Sequence, residues 1–206
     1  MKKKIDFKKE LKHLYKASAK TPVFVDVPPM QYLMVKGKGD PGSSQAFKDA
    51  IEALYPLAYG LKFMSKIDNE QDYVVMPLEC QWWMGDAEDE WDMNRRDDWE
   101  FNLMIMQPDI ITQEMFEAVF EKVKVKKNPK ALPLVKFETI EEGKCVQILH
   151  IGPYSEEGPT VEKNHNFAFE QGYQLRGRHR EIYLSDIRRT QPKKLKTIIR
   201  QPIILG

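Results

Sequence analysis

The segment Trp99-Glu-Phe-Asn-Leu-Met-Ile-Met-Gln-Pro108, near the middle of this 206-residue chain, has a counterpart at its end, Leu195-Lys-Thr-Ile-Ile-Arg-Gln-Pro202-Ile. Each segment is rich in residues of high β-propensity and closes on Gln-Pro. Upstream of each lies a similar series: a strand-like run, a glycine, a helix-like stretch and a strand that carries a glutamate. The two glutamates are Glu79 and Glu181. The order strand, helix, strand, strand therefore occurs twice, which predicts an internal repeat.

This order predicts an α+β fold in which two β-α-β-β units pack about a pseudo-twofold axis. The helices are expected on one face of the sheet, which leaves the other face for a central ligand cleft. The predicted single domain, residues 1–206, consists of a helical arm at 1–22, repeat one at 23–128 and repeat two at 129–206. A helix is expected over 6–19 with Asp6 as its cap, and another after Thr112. Pro56 lies inside a helical pattern, so a kink or break is expected near Ala53.

Composition excludes several classes of function. Lysine and arginine number 32 against 31 aspartates and glutamates, so no net field favours nucleic-acid binding. No apolar run is long enough to cross a bilayer, and the start of the chain does not have the pattern of a signal peptide, so a cytoplasmic protein is expected. Cys80 and Cys145 lie on different predicted strands without ligand-like spacing. We therefore predict no disulfide, no metal and no cofactor.

The two glutamates are the primary candidates for a site. Side chains alternate across a strand, so Glu181 shares a face with Tyr183, while Ile182 and Leu184 are expected to point to the helices. Aligning the repeats places Glu79 on the equivalent face, together with Gln81 and Trp83. A carboxylate among aromatic side chains has a raised pKa, which suits a general acid or base. It equally suits a cationic ligand held by charge and ring faces, and the sequence leaves both alternatives open.

Further residues are candidates for ligand binding. Trp82 and Trp83 are adjacent, so on a regular strand one of them faces the core. His150 precedes the Gly152 turn and could reach a cleft. The acidic segment 86–98 lacks the spacing of a calcium loop and is interpreted as a solvated lid. The complete set of predicted ligand-binding residues is Trp83, Trp82, Gln81, Tyr32, Tyr154, His150 and Trp99.

Several longer strings resemble one family, the standalone GyrI-like small-molecule-binding proteins. They are Pro28-Pro-Met-Gln-Tyr-Leu-Met-Val-Lys-Gly-Lys-Gly39-Asp-Pro, Phe47-Lys-Asp-Ala-Ile-Glu-Ala-Leu-Tyr55, Leu61-Lys-Phe63, Pro77-Leu-Glu-Cys-Gln-Trp-Trp83, Gln107-Pro-Asp-Ile-Ile-Thr112 and Glu181-Ile-Tyr-Leu-Ser-Asp-Ile-Arg-Arg-Thr190. The resemblance spans nearly the whole chain. It implies two β-α-β-β units around a cleft, and it matches Glu181 to a glutamate that meets cationic lipophilic drugs in related multidrug regulators. A helix-turn-helix segment is absent from the pattern, so a transcription factor is not expected.

The resemblance also implies an activity, since some standalone members are hydrolases that open strained cyclopropane rings in DNA-alkylating natural products. On that hypothesis Glu181 is the base, Glu79 its partner, and Tyr183 with Trp83 the pocket wall and polar handle. The expected partner is a lipophilic, planar or cationic small molecule. Two alternatives remain open: non-catalytic sequestration of such compounds, and a protein-interaction module that modulates gyrase.

Overall fold

The computed structural model describes residues 4–85, 92 and 94–206. One antiparallel sheet has the strand order β1-β6-β9-β8-β3-β4-β2-β5, with β7 paired to β9. The strands are β1 (Val23–Val27), β2 (Met30–Lys38), β3 (Leu78–Met84), β4 (Trp99–Gln107), β5 (Lys136–Ile140), β6 (Gly143–Ile151), β7 (Tyr173–Leu175), β8 (His179–Tyr183) and β9 (Lys196–Leu205). The helices are α1 (Phe7–Glu10), α2 (Lys12–Tyr15), α3 (Gln45–Asp68), α4 (Gln113–Lys126) and α5 (Gly158–Glu170). The predicted α+β class is confirmed.

The sheet curls back on itself because the ribbon formed by β1 and β2 pairs with the ribbon formed by β5 and β6. Val27 pairs with Gly143 at the end of β1 and β6, and Met30 pairs with Ile140 at the start of β2 and β5. The register thus continues across the short breaks between β1 and β2 and between β5 and β6. The curled sheet has two faces, which we call the helix face and the inner face.

Three helices pack on or beside the helix face. Ser44 caps α3, its hydroxyl accepting a hydrogen bond from the Phe47 N–H, and α3 packs on β2 and β4. The α5 helix packs on β6 and β9, beside the other half of the sheet. The α4 helix, capped by Thr112 as predicted, lies against α3. A Cβ atom at Gly60 would lie 2.5 Å from Val119 Cγ1, so this close approach of the two helices requires glycine.

The predicted break near Ala53 is wrong, because α3 runs uninterrupted from Gln45 to Asp68 with Pro56 inside it. Leu54 and Leu57, on either side of the proline, are fully buried. Burial of such side chains contributes roughly 1.5–3 kcal/mol each. Packing on the sheet therefore offsets the hydrogen bond that proline removes.

The N-terminal arm covers the inner face. The helix expected over 6–19 is divided into α1 and α2, and Asp6 caps the first by accepting from the Lys8 N–H at 3.2 Å. Leu14 and Tyr15 of α2 are buried against the inner face. Their apolar surface explains why the arm lies on the domain although it is outside both predicted repeats.

Some boundaries differ from the predictions. The strand expected from Tyr73 begins at Leu78, and Tyr73 instead forms an isolated parallel bridge with Ile5. Strands β1 and β7 were not predicted. Both halves contain the series strand, helix, strand, strand (β2-α3-β3-β4 and β6-α5-β8-β9), although β7 interrupts the second. The division of the chain into two repeats stays a prediction. Within the described residues, no helix has the length and apolar character to span a bilayer.

Candidate functional site

Strand register places the two predicted glutamates on opposite faces of the sheet. Glu181 pairs with Cys80, whereas Glu79 pairs with Ile182. Because paired residues share a face and neighbours alternate, Glu181 lies on the helix face and Glu79 on the inner face. The expectation that both glutamates face the same way is therefore wrong. So is the expectation that the helices lie opposite Glu181, since Tyr183 and Glu181 share the face that carries α3 and α5.

A second carboxyl group meets Glu181 on the helix face, and it was not predicted. Glu157 immediately precedes α5, and its side chain interacts with that of Glu181. Glu157 is only 6% exposed, and the Glu181 side chain 16%. Two carboxyl groups so close and so poorly hydrated cannot both be ionised, because the second charge is opposed by burial and by the first.

The electrostatics favour the protonated form of Glu157. Burial, followed by the negative charge of Glu181, raises the pKa of Glu157 to about 9. Glu157 Oε1 and the neighbouring Thr197 Oγ1 are both buried without a well-aligned hydrogen bond within the described part of the chain. At neutral pH Glu157 therefore holds a proton beside the Glu181 side chain.

Tyr183 fixes the orientation of Glu181. Its hydroxyl donates a hydrogen bond to Glu181 Oε2 at 2.8 Å and accepts one from Trp82 Nε1 at 3.2 Å. Burial raises the pKa of Tyr183 well above its ordinary value, and the adjacent Glu181 charge adds to that shift. The phenol therefore keeps its proton. The Tyr154 ring meets the Tyr183 ring edge-on, with centroids 5.6 Å apart.

An aromatic wall continues from these tyrosines toward α3. The Phe47 ring stacks on Trp82 with centroids 5.8 Å apart, and Trp99 lies edge-on to Trp82 at 5.9 Å. Trp82 is thus the tryptophan on the Glu181 side, with Trp99 behind it. Trp83 points to the inner-face side, where the Arg178 guanidinium stacks 3.6 Å above its ring. The predicted pairing of Trp83 with Glu181 is not formed.

Histidines border the carboxyl pair on its other side. His179 Nε2 lies 3.6 Å from Glu181 Oε1, and the His165 ring of α5 faces His179 with centroids 6.5 Å apart. Burial, with the charge of His179, lowers the pKa of His165 to about 4. His150 is buried and joins the turn to α5: Nδ1 lies 2.9 Å from Thr160 Oγ1 and Nε2 lies 3.2 Å from the Pro153 carbonyl oxygen. It supports the start of α5 and thereby Glu157.

Glu79 belongs to a buried charge network on the inner face. Its Oε1 accepts a hydrogen bond from the Tyr15 hydroxyl at 2.9 Å, and its Oε2 lies 3.0 Å from Arg180 Nη1. Arg180 Nη1 also donates to the Tyr32 hydroxyl at 2.8 Å. Gln81 lies on the same face and accepts from Asn102 Nδ2 at 3.2 Å. Tyr32, Gln81 and Glu79 are therefore separated by the sheet from Glu181.

The network extends to the N-terminal arm through a second arginine. Arg180 Nε lies 3.0 Å from Glu142 Oε1, and Arg200 Nη1 lies 3.8 Å from Glu142 Oε2. Arg200 Nη2 donates to the Leu14 carbonyl oxygen at 2.5 Å, and Gln147 Nε2 donates to that of His13 at 2.8 Å. Both arginines are fully buried. Their positions indicate a structural role, in which the network fixes the arm to the sheet.

Sequence reasoning missed Glu157, His179, Thr197 and Phe47. His179 could have been found from alternation alone, because it lies two residues before Glu181 on the same strand. Glu157 precedes Gly158-Pro159 at a helix start, but only the packing of α5 on β9 brings it to β8. Among the described residues, no group of three potential ligands is arranged to hold a metal ion. Most of the acidic segment 86–98, including Trp91, lies outside the described residues.

Two concavities of the described chain lie away from this site. One of about 490 Å³ is lined by Lys20, Thr21, Pro22 and residues of α5, and one of about 130 Å³ lies beside the start of α3. The carboxyl pair lies between the parts of the helix face that carry α3 and α5, with the Glu181 side chain 16% and Glu157 6% exposed. Glu181 is therefore the partly exposed member of a mostly buried pair.

A family model described as the GyrI-like small molecule binding domain matches residues 20–204. The chain belongs to the GyrI-like family. An uncharacterized conserved protein from Listeria innocua is 40% identical, with a TM-score of 0.90 over 98% of this chain and 100% of the other. A hydrolase from Listeria innocua is also 40% identical, with a TM-score of 0.85 over the same shares of both chains. No curated protein matches the sequence.

More distant relatives of this GyrI-like protein share only the fold. The C-terminal domain of EcmrR is 15% identical, with a TM-score of 0.56 over 90% of this chain and 98% of that domain. This likeness agrees with the mixed architecture of a large antiparallel sheet and helices. The family match alone identifies the chain as a small-molecule binding domain.

Proposed function

We propose that this GyrI-like protein hydrolyses a planar, lipophilic small molecule at the carboxyl pair of Glu157 and Glu181. The observation that carries the proposal is the contact of two mostly buried carboxyl groups beside an aromatic wall, where burial and the Glu181 charge raise the pKa of Glu157. Glu181 as carboxylate can take a proton from a water, while Glu157 can give one to the substrate. Glu157 thus has the role of carboxyl partner that the sequence had suggested for Glu79.

A strained cyclopropane conjugated to a carbonyl is the substrate class that this arrangement suits. Glu181 removes a proton from a water molecule while the water oxygen bonds to a ring carbon, and the strained carbon–carbon bond breaks. The released electron pair moves into the conjugated system, and Glu157 protonates the carbonyl oxygen. The proton on Glu181 then passes to Glu157, which restores the starting state with net addition of one water. Tyr183 holds Glu181 in place and is the alternative acid.

Two further points support this proposal. The similar Listeria innocua proteins at 40% and 41% identity are described as hydrolases, over nearly the full length of both chains. The rings of Tyr154 and Phe47, which are partly exposed, provide apolar contact on either side of Tyr183 and Trp82, and a planar substrate needs such contact. Detoxification of such compounds is the physiological role that we infer from this chemistry.

Sequestration without turnover is the second candidate, favoured by the aromatic side chains beside the carboxyl pair. The distinguishing experiment is product analysis with an activated cyclopropane amide, using wild type, Glu181→Gln, Glu157→Gln and the exposed control Glu156→Gln. The proposal predicts hydrated product from wild type and Glu156→Gln, and at least a hundredfold loss in the other two. Tryptophan quenching by the compound without product would reject hydrolysis and support sequestration.

A further inference from the structure

An aromatic strip leads from the carboxyl site to the surface along α3. Phe47, Ile51, Tyr55, Tyr59 and Phe63 follow one another at intervals of four residues, so they form one ridge that winds around the helix from the sheet side to the solvent side. Phe47 contacts Trp82 at one end, and exposure rises to 48% at Tyr59 and 53% at Phe63. The distance along the helix axis from Phe47 to Tyr59 is about 18 Å. Exposed aromatic side chains on a ridge that starts at the site offer contact to a ligand longer than the site itself.

A basic loop lies beside the outer part of this strip. Residues 186–196, which follow β8, contain one acid, Asp186, and five basic side chains: Arg188, Arg189, Lys193, Lys194 and Lys196. The two arginine side chains are 83% and 86% exposed. Asp186 and Arg188 lie close enough to Tyr55 for their charges to act on its phenol, and the Tyr55 and Tyr59 ring centroids are 6.4 Å apart, so the loop lies beside this part of the strip. Ile187 is 60% exposed in the same loop.

The charges along this path are therefore separated, with a carboxylate at the inner end and guanidinium groups at the outer end. An anionic group would be repelled by Glu181 and attracted by the arginines. We propose that Tyr55, Tyr59, Arg188 and Arg189 form a distal subsite for an aromatic ring that bears an anionic group, such as a carboxylate or sulfate. This inference rests on the proposed function for placing the reactive end of the same molecule at Glu181.

Asp186 competes with such an anion. It is bound by Arg188 through Nε at 3.0 Å and Nη2 at 2.9 Å, and these bonds lower its pKa to about 2. It is therefore ionised throughout the neutral range, and a ligand anion must share Arg188 with it. Replacement by asparagine removes the charge but keeps an oxygen that can accept from the Arg188 N–H, so the turn is preserved.

The test compares two probes that differ only in charge: planar biaryl amides whose outer ring carries a carboxylate in one and a carboxamide in the other. Binding is followed by tryptophan quenching, without turnover, for the full chain and its variants. We expect Arg188→Gln with Arg189→Gln to weaken the carboxylate probe about tenfold, from roughly threefold for each exposed charge contact. Asp186→Asn should strengthen it, and neither change should move the carboxamide probe by more than about twofold.

Matched controls separate the subsite from general effects. Tyr59→Ala should weaken both probes, whereas Phe169→Ala, an equally exposed aromatic on α5, should leave both unchanged. Lys124→Gln removes a half-exposed cation on α4 and should also have no effect. Equal affinity for both probes, or no binding of either, overturns the subsite. Because the readout is binding, turnover of a cyclopropane amide alongside that result would leave the proposed hydrolysis intact.

Discussion

Arg180 and Glu181 are consecutive residues of β8, yet their side chains enter separate environments on opposite faces of the sheet. The Arg180 side chain is fully buried and contacts Glu79, Tyr32 and Glu142. The Glu181 side chain meets Tyr183 and Glu157 on the helix face. A single strand thus connects the structural charge network to the proposed reactive group. Substitutions at the two positions should accordingly have different consequences.

Arg180→Ala should destabilise the fold, because it leaves Glu79 and Glu142 buried next to one fewer cation. Removing one partner of a buried ion pair typically costs about 3–5 kcal/mol. The free energy of unfolding in urea measures this loss. Arg189→Ala, which removes an arginine side chain that is 86% exposed, is the matched control and should change stability by less than about 1 kcal/mol.

Glu79→Gln and Glu181→Gln should show opposite patterns. The first should lower the free energy of unfolding, since it weakens contacts with Arg180 and Tyr15, while the folded variant retains turnover. The second should abolish turnover with little change in stability, because Glu181 is partly exposed. Urea denaturation and product formation, measured on the same preparations, distinguish the two. Loss of turnover in a stably folded Glu79→Gln protein would contradict the separation of faces.

Glu157 should make stability fall as pH rises from its ordinary pKa to its raised one. Its folded pKa, about 9, lies above its ordinary value of 4.5, so the folded state binds the proton more tightly than the unfolded state. Its contribution is complete below pH 4.5 and falls as pH rises toward 9. Wild type should therefore lose stability relative to Glu157→Gln as pH rises over this interval, by at most about 1.4 kcal/mol per pKa unit. Urea midpoints at several pH values measure it, and turnover should decline above pH 9 as the acid ionises.

His165 should act on the acid side with the opposite sign. Its folded pKa, about 4, lies below its ordinary value of 6.5, so the unfolded state binds the proton more tightly. Its contribution is complete above pH 6.5 and is lost as pH falls toward 4. We expect wild type to lose less than about 3 kcal/mol of stability through this group, because the ring is only partly buried. His165→Gln should remove that dependence, whereas the exposed His13→Gln should retain it.

Tyr183→Phe should slow turnover by about a hundredfold, within the range for a group that assists proton transfer. It removes the hydrogen bond to Glu181 and leaves Trp82 Nε1 without its acceptor. The expected signature is a fall in kcat with a smaller change in KM, together with a shift of tryptophan emission. Tyr173 packs on Phe24, away from the carboxyl pair, so Tyr173→Phe provides the comparison. An unchanged kcat would remove Tyr183 from the mechanism.

Local signals in the sequence were sufficient for most elements. Thr112 caps a helix where the pattern indicated, and the β-prone segment that begins at Trp99 forms β4. Tyr183 and Glu181 share a face because alternation is a property of any strand. The short β7 was missed since three residues give almost no periodic signal, and α3 continues through Pro56 because packing outweighs a local breaker.

The class of fold, the family and Glu181 as a candidate site residue could all be predicted from the chain, because these predictions depend on short-range patterns and on strings of residues. The face of the sheet that each glutamate occupies, and the carboxyl group that meets Glu181, follow from tertiary contacts alone. Facing depends on the register between β3 and β8, and a shift of one residue would exchange the faces. The Glu157 contact depends on how α5 docks on a different strand. Such long-range geometry leaves no periodic trace in the chain.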